Sequence, residues 1–164
     1  MRAAFITVIA VAAAGVATAA PRGPSATQFL TKAIEGDNSE IHLGQLAVTQ
    51  GGSQEAKTFG QTLVTDHTTA KQQALPVAQK LGVTPPGKAT PEADHEYRKL
   101  QGMHGAAFDH EFATYMVKDH EKDISDFKTE AAGGSGPAAA LAKQTIPTLE
   151  KHLAMAKRLA ASGH

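Results

Sequence analysis

The chain has 164 residues, with 16 basic and 16 acidic side chains, eight histidines and no cysteine. A balanced charge and few aromatics leave nothing to hold a phosphate backbone or stack bases, so nucleic-acid binding is not expected. Without cysteine there are neither disulfides nor a thiol nucleophile, and any exported form must stand on packing alone.

The first segment reads as an address. Met1 and Arg2 precede the apolar run "AAFITVIAVAAAGVA", and "ATA" at Ala17–Ala19 supplies the small residues of a cleavage site. Residues 1–19 are therefore expected to be a secretory signal peptide, and the protein periplasmic or secreted. The run is short and alanine-rich for a membrane anchor, so no span is expected after cleavage. Removal of Arg2 leaves 15 basic against 16 acidic side chains. Residues 25–164 then form one domain with one core.

Helical periodicity dominates that domain. Ser25 is a plausible N-cap for a first helix ending at Gly51-Gly52, weakened in its middle by Gly36, Asp37 and Asn38. Ser53 opens a second helix, whose apolar stripe runs through Ala56, Phe59, Leu63, His67, Ala70, Ala74 and Leu81, with a kink expected at Pro76. "GVTPPGKATPEADHEYRKLQGMHG" interrupts the pattern and has room for one short helix near Pro91–Gln101, with Pro91 at an early helical position. A long helix begins near Ala106 and runs to "TEAAGGSG". The last follows Pro137 to about Ala160, with Pro147 near its middle. Tight turns at 51–53 and 133–136 make two antiparallel helix pairs. The fold class is all-α: a four-helix bundle of two such pairs, joined by a long connection carrying a short helix. Whether that connection crosses the bundle is open at this point.

Two stretches repeat. "FGQTLVTDH" at 59–67 and "FATYMVKDH" at 112–120 both read Phe-x-x-x-(Leu/Met)-Val-x-Asp-His. In each, the histidine lies four and eight residues beyond apolar partners, which places it on the buried stripe. The preceding Asp66 and Asp119 turn roughly 100° away. On the last helix His152 sits beside Leu149, Leu153 and Ala156, and on the first Glu40 lies near Leu43, Gly44 and Ala47. Residues equidistant from a tight turn are level in an antiparallel hairpin. Glu40 and His67 centre on residue 53.5, and His120 and His152 on 136, each close to a turn. All four therefore fall at similar heights, within one to two helical turns at ~1.5 Å per residue.

Three imidazoles and a carboxylate converging in a bundle core suit a transition metal: zinc, iron, copper or nickel. Glu40, His67, His120 and His152 are the expected metal ligands. Asp66 and Asp119 are either additional ligands or acceptors that orient the rings. Two readings without metal stand beside this one. One is a structural or partner-binding bundle whose histidines and aspartates form a buried hydrogen-bond network; the other is a pH sensor, if the buried histidines titrate near neutrality. Asp109, near a helix start, is expected to cap; His104 is expected to be exposed and His42 to lie on a different face from Glu40. Tyr115 is either a hydrogen-bond partner of Asp66 or Asp119 or a core aromatic. No Gly-x-Ser-x-Gly elbow or phosphate loop occurs, and four methionines cannot build a thioether copper store. No nucleophilic or phosphate-binding enzyme is visible in the sequence, and catalysis is left open at this point.

"SEIHLGQLA", "FGQTLVTDHTTA", "GAAFDHEFATYMVKDHEKDI" and "IPTLEKHLAMAKRL", in that order, resemble the domain-of-unknown-function 4142 family of exported bacterial proteins placed among ferritin-like bundles. The resemblance spans about Gln28 to Leu159. It implies a ferritin-like fold and marks Glu40, Asp66, His67, Asp109, Asp119, His120 and His152 as the polar positions that matter. Ile146-Pro147 stands in a Leu-Pro-x-Leu-like pattern. The family name carries no established activity; metal sequestration or a role in envelope stress is the expected work. Ferritin-like di-metal centres use Glu-x-x-His on bundle helices. Here that spacing occurs at Glu92–His95, in the connection, so ferritin-type iron oxidation is not expected.

Overall fold

The computed structural model describes residues 25–134 and 136–162, and the expected signal peptide lies outside them. The described residues form five helices: α1 (Ala26–Gln50), α2 (Gln54–Lys80), α3 (Pro91–Gln101), α4 (Gly105–Gly133) and α5 (Pro137–Ala161). Their starts follow local chemistry. Ser25 and Gln28 close a reciprocal capping box on α1, Ser53 accepts from the Ala56 N–H of α2, and Thr90 caps α3 ahead of Pro91. Pro76 and Pro147 are both exposed, and α2 and α5 run on through them.

The Gly36–Asp37–Asn38 stretch does not interrupt α1. Each residue around it has a tertiary task that outweighs its poor propensity. The Asn38 amide donates to the Pro86 and Lys88 carbonyls (3.1 and 3.0 Å), and the Ser39 hydroxyl accepts from the Thr90 N–H (3.0 Å). These bonds pin the connection after α2 along the side of α1.

The long helices form a bundle in which α1 packs on α2, α2 on α5, α5 on α4 and α4 on α1. Pairs of contacts fix the directions. Asp37–His67 and Asn38–Lys71 set α1 against α2; Lys128–Glu150 and Lys157–Glu121 set α4 against α5. In each case one number rises as the other falls, so both pairs are antiparallel hairpins. Phe59–Phe112 and His67–His120 instead rise together, so α2 and α4 run parallel. The connection through α3 therefore travels back along the bundle to restart at the same end, which answers what the sequence left open.

Two close approaches set the geometry. Where α1 crosses α2, a Cβ on Gly60 would meet the Gly44 carbonyl at 2.6 Å and Ala47 Cβ at 2.8 Å, so the helices touch through backbone. At the bundle end, Gly51 pairs with Gly105, which has φ +59°, and the Asp109 carboxylate accepts from the N–H groups of Gly52 (2.8 Å) and Ser53 (2.7 Å). Asp109 does cap, but it caps α2 from α4. That bond pair ties the starts of the two parallel helices together.

The core has two apolar layers. Leu43, Phe59, Leu63, Phe108, Phe112 and Met116 fill the end near the α1–α2 turn, while Phe29, Leu30, Ile34, Ile124, Phe127 and Leu149 fill the other. Among the described residues no helix is long and apolar enough to cross a membrane.

Candidate metal centre

Between the layers lies a polar cluster. His152, His120, Glu40 and His67 are 0%, 1%, 1% and 4% exposed, one residue from each long helix. The repeat explains two of them. Phe59 and Phe112 are 53 residues apart on parallel helices with ring centroids at 5.6 Å, and eight residues further on His67 and His120 face each other at 6.1 Å. His152 completes the triangle at 5.2 Å from His67 and 5.4 Å from His120.

Each imidazole is held from behind by an oxygen. His67 Nδ1 lies 2.9 Å from Asp37 Oδ1, His120 Nδ1 lies 3.0 Å from the Met116 carbonyl, and His152 Nε2 lies 2.9 Å from Asp66 Oδ2. A carbonyl or carboxylate oxygen only accepts, so these nitrogens carry the protons and the opposite ones keep their lone pairs. Those opposite nitrogens, His67 Nε2, His120 Nε2 and His152 Nδ1, are buried with no hydrogen-bond partner, as is Glu40 Oε2. One ring nitrogen from each histidine lies within 4.8 Å of the other two. Glu40 Oε2 is 3.9 Å from His67 Nε2, and its Oε1 is 3.6 Å from His120 Nδ1.

The electrostatics suit neutral rings. Burial, reinforced by the neighbouring histidines, pushes the His120 imidazole down to about 3; burial and His67 push His152 down to about 4. Both rings are thus held neutral near pH 7. Burial, then the charges of Asp119 and other carboxylates, holds Glu40 well above the usual carboxylate range. Burial also raises Asp37, against the pull of His67. For Asp66, burial acts upward, but hydrogen bonds from His152 and Lys151 outweigh it and hold the carboxyl below its ordinary value.

The structure brings the six residues expected at the site into one region of the bundle. The three histidines form one group of ring nitrogens, and Glu40 lies beside it, near His67 and His120. Asp66 stands behind His152 as the orienting acceptor and also pairs with Lys151 at 3.0 Å. Asp119 is half-buried on the far side of Glu40, and oxygen or nitrogen atoms of Glu40, Asp119 and His120 form a second group within 4.8 Å of one another. Asp37 is the residue that sequence reasoning missed. The signal was present: it precedes Glu40 by three residues, hence on the same helix face, and with His67 it centres on residue 52, the middle of the turn.

The remaining polar candidates are structural. His42 leaves the cluster and stacks on Tyr97 of α3, with centroids 3.9 Å apart. His104 is exposed. Tyr115 packs half-buried against the core, its phenol pushed up by burial and by Asp119 and Glu40.

Comparison with curated proteins finds no match. Among solved structures, the fold is similar to the crystal structure of a DUF305 fragment from Deinococcus radiodurans, with a TM-score of 0.74 and 13% identity. The match covers 87% of this chain and 99% of that one; at such identity the likeness shows the fold alone. The profile of a domain of unknown function, DUF4142, matches residues 11–159, a span that holds every residue of the cluster, and the chain belongs to that family.

Proposed function

We propose that this protein binds one transition-metal ion in its core, held by His67, His120 and His152 with Glu40 as the fourth ligand. The observation that carries this is the set of three buried ring nitrogens without partners, each on an imidazole whose other nitrogen already donates to an oxygen. Metal-bound histidines have this arrangement, because the rear hydrogen bond fixes the tautomer and raises the basicity of the ligating nitrogen. Ligand nitrogens on a tetrahedral zinc, at 2.0–2.1 Å each, lie about 3.3 Å apart. The rings therefore need to close by at most about 1.5 Å from the 4.8 Å limit.

The donor set names the class of ion. Neutral imidazoles with one carboxylate suit zinc, copper(II), iron or nickel, and the lack of thiolate and the sparse thioethers disfavour copper(I). The connectivity, two hairpins joined by one long crossover, supports a ferritin-like reading of the bundle. Its donors do not repeat the paired Glu-x-x-His pattern, and no oxidation chemistry is proposed. Together with the N-terminal segment read as a signal, the site supports sequestration of a metal ion in the cell envelope, with a role under stress.

A metal-free hydrogen-bond network is the competing reading, and the Asp37–His67 and Asp66–His152 bonds are its strongest support. It leaves three buried nitrogens and a carboxylate oxygen without a protein partner, at about 1–3 kcal/mol each. Metal analysis of protein purified without a histidine tag separates the two. About one equivalent of metal, lost in His67→Ala and His120→Ala, supports the centre. Clean protein without metal, and without a thermal shift on adding zinc, copper or iron, supports the network.

A further inference from the structure

The centre is sealed, with its histidines at most 4% exposed, so an ion needs a way in. A cavity of about 460 Å³ opens between α1 and α4. Phe29, Phe127 and Tyr115 contribute apolar walls and Gly36 leaves space on the α1 side, while five carboxylates, Asp119 and Asp123 among them, outnumber the lysines Lys32, Lys118 and Lys122. Liquid water takes about 30 Å³ per molecule, so the cavity has room for a divalent ion with six waters.

Asp119 links this cavity to the buried cluster. It lines the cavity, and one of its oxygens lies within 4.8 Å of ligand atoms of both Glu40 and His120. Lys122 pairs with Asp123 and Asp126 (3.7 and 3.1 Å), which leaves Asp119 without an ion-pair partner among the described residues. Glu40 faces both ways. Its Oε2, buried and unpartnered, is the atom near His67, Oε1 lies toward His120, and one of its oxygens is within 4.8 Å of Asp119.

A second cavity that touches the site is less suited to the task. It lies between α2 and α5, holds about 170 Å³, and its carboxylate is Asp66. That carboxylate is already occupied by His152 and Lys151.

We propose that Glu40 and Asp119 form a second, transient cation position at the inner end of the α1–α4 cavity, through which a divalent metal ion passes to the three histidines. The inference rests on the histidine centre proposed above. The ion exchanges waters for the Asp119 carboxylate, then for Glu40, and reaches the imidazoles without being stripped bare at any stage. A cavity carrying unpaired negative charge also concentrates cations and speeds their capture.

Stopped-flow uptake of cobalt(II) by the untagged full chain, with chelator-driven release, tests this. Asp119→Asn should slow uptake by about tenfold, while stoichiometry and the final visible spectrum stay as in the wild type. Gly36→Leu should also slow uptake, because it narrows the cavity without removing a carboxylate of the route. A Cβ at Gly36 fits, its nearest neighbour being Asp123 Oδ2 at 3.6 Å. Unchanged rates in Asp119→Asn overturn the route, as does a loss of affinity with uptake unaffected, which would make Asp119 a resident ligand. Wild-type protein that takes up no cobalt at equilibrium overturns the histidine centre, and the route with it.

Discussion

Asp37 of α1 and His67 of α2 share a 2.9 Å hydrogen bond inside the bundle, both side chains less than a tenth exposed. The carboxylate fixes the imidazole through Nδ1 and leaves Nε2 buried and unpartnered. Replacing Asp37 with alanine should leave the ligands in place yet weaken zinc binding by about 10- to 100-fold. Competition with a chromophoric chelator measures it. Affinity equal to the wild type would reduce Asp37 to a structural contact.

The α1–α2 crossing allows no side chain at Gly60. Gly60→Ala drives a methyl to 2.6 Å from the Gly44 carbonyl, which is backbone and cannot swing aside. Urea unfolding of the metal-free protein should show a loss of about 1–3 kcal/mol. A midpoint equal to that of the wild type would mean that the helices separate freely there.

Asp109 holds the exposed backbone donors at the start of α2 from a position on α4. Asp109→Ala should cost about 2 kcal/mol, in the range of charge-assisted bonds to backbone. Asp109→Asn should cost less, since one acceptor oxygen survives. Equal losses in the two variants would show that the surviving neutral acceptor contributes nothing and that the charge carries the cap.

These three residues mark how far the sequence could be read. Ser25, Ser53 and Pro91 declare helix starts through chemistry confined to a few neighbours, and the start positions follow from them. The histidines were legible because periodicity puts each on an apolar stripe and the two turns set their heights. Asp37 was read as a weak point of α1 because propensity concerns the helix alone, whereas its role depends on a residue 30 positions away. Asp109 was read as a cap for its own helix for the same reason. Gly44 and Gly60 gave no sign of contact, since only the crossing of two helices makes their missing side chains matter. The parallel course of α2 and α4 was equally hidden: it depends on where the connection lies, and Asn38 and Ser39 hold that in place through bonds spanning about 50 residues.

The depressed His120 and His152 give the metal-free protein a pH dependence of definite sign. Both rings carry folded values below the ordinary 6.5, at about 3 and about 4, because burial penalises their charged form. Between pH 6.5 and 4 the unfolded chain binds protons there that the folded chain does not, so this part of the stability falls as pH falls. The raised carboxyls Glu40 and Asp37 act in the opposite sense, holding protons in the folded state above their ordinary values. The histidine part is isolated by difference. The stability of wild type minus that of His120→Gln, in chelator, should decrease from pH 7 to pH 4. A flat difference would mean that His120 is not shielded from protons.

The metal-centre reading is tested most directly by X-ray absorption at the metal edge of zinc-loaded, untagged protein. The expected spectrum shows a first shell of nitrogen and oxygen near 2.0–2.1 Å, with outer-shell scattering from about three imidazoles. It should lose imidazole scattering in His152→Ala. Zinc bound without imidazole scattering, or zinc that washes away from the wild type, would contradict a centre built from His67, His120 and His152.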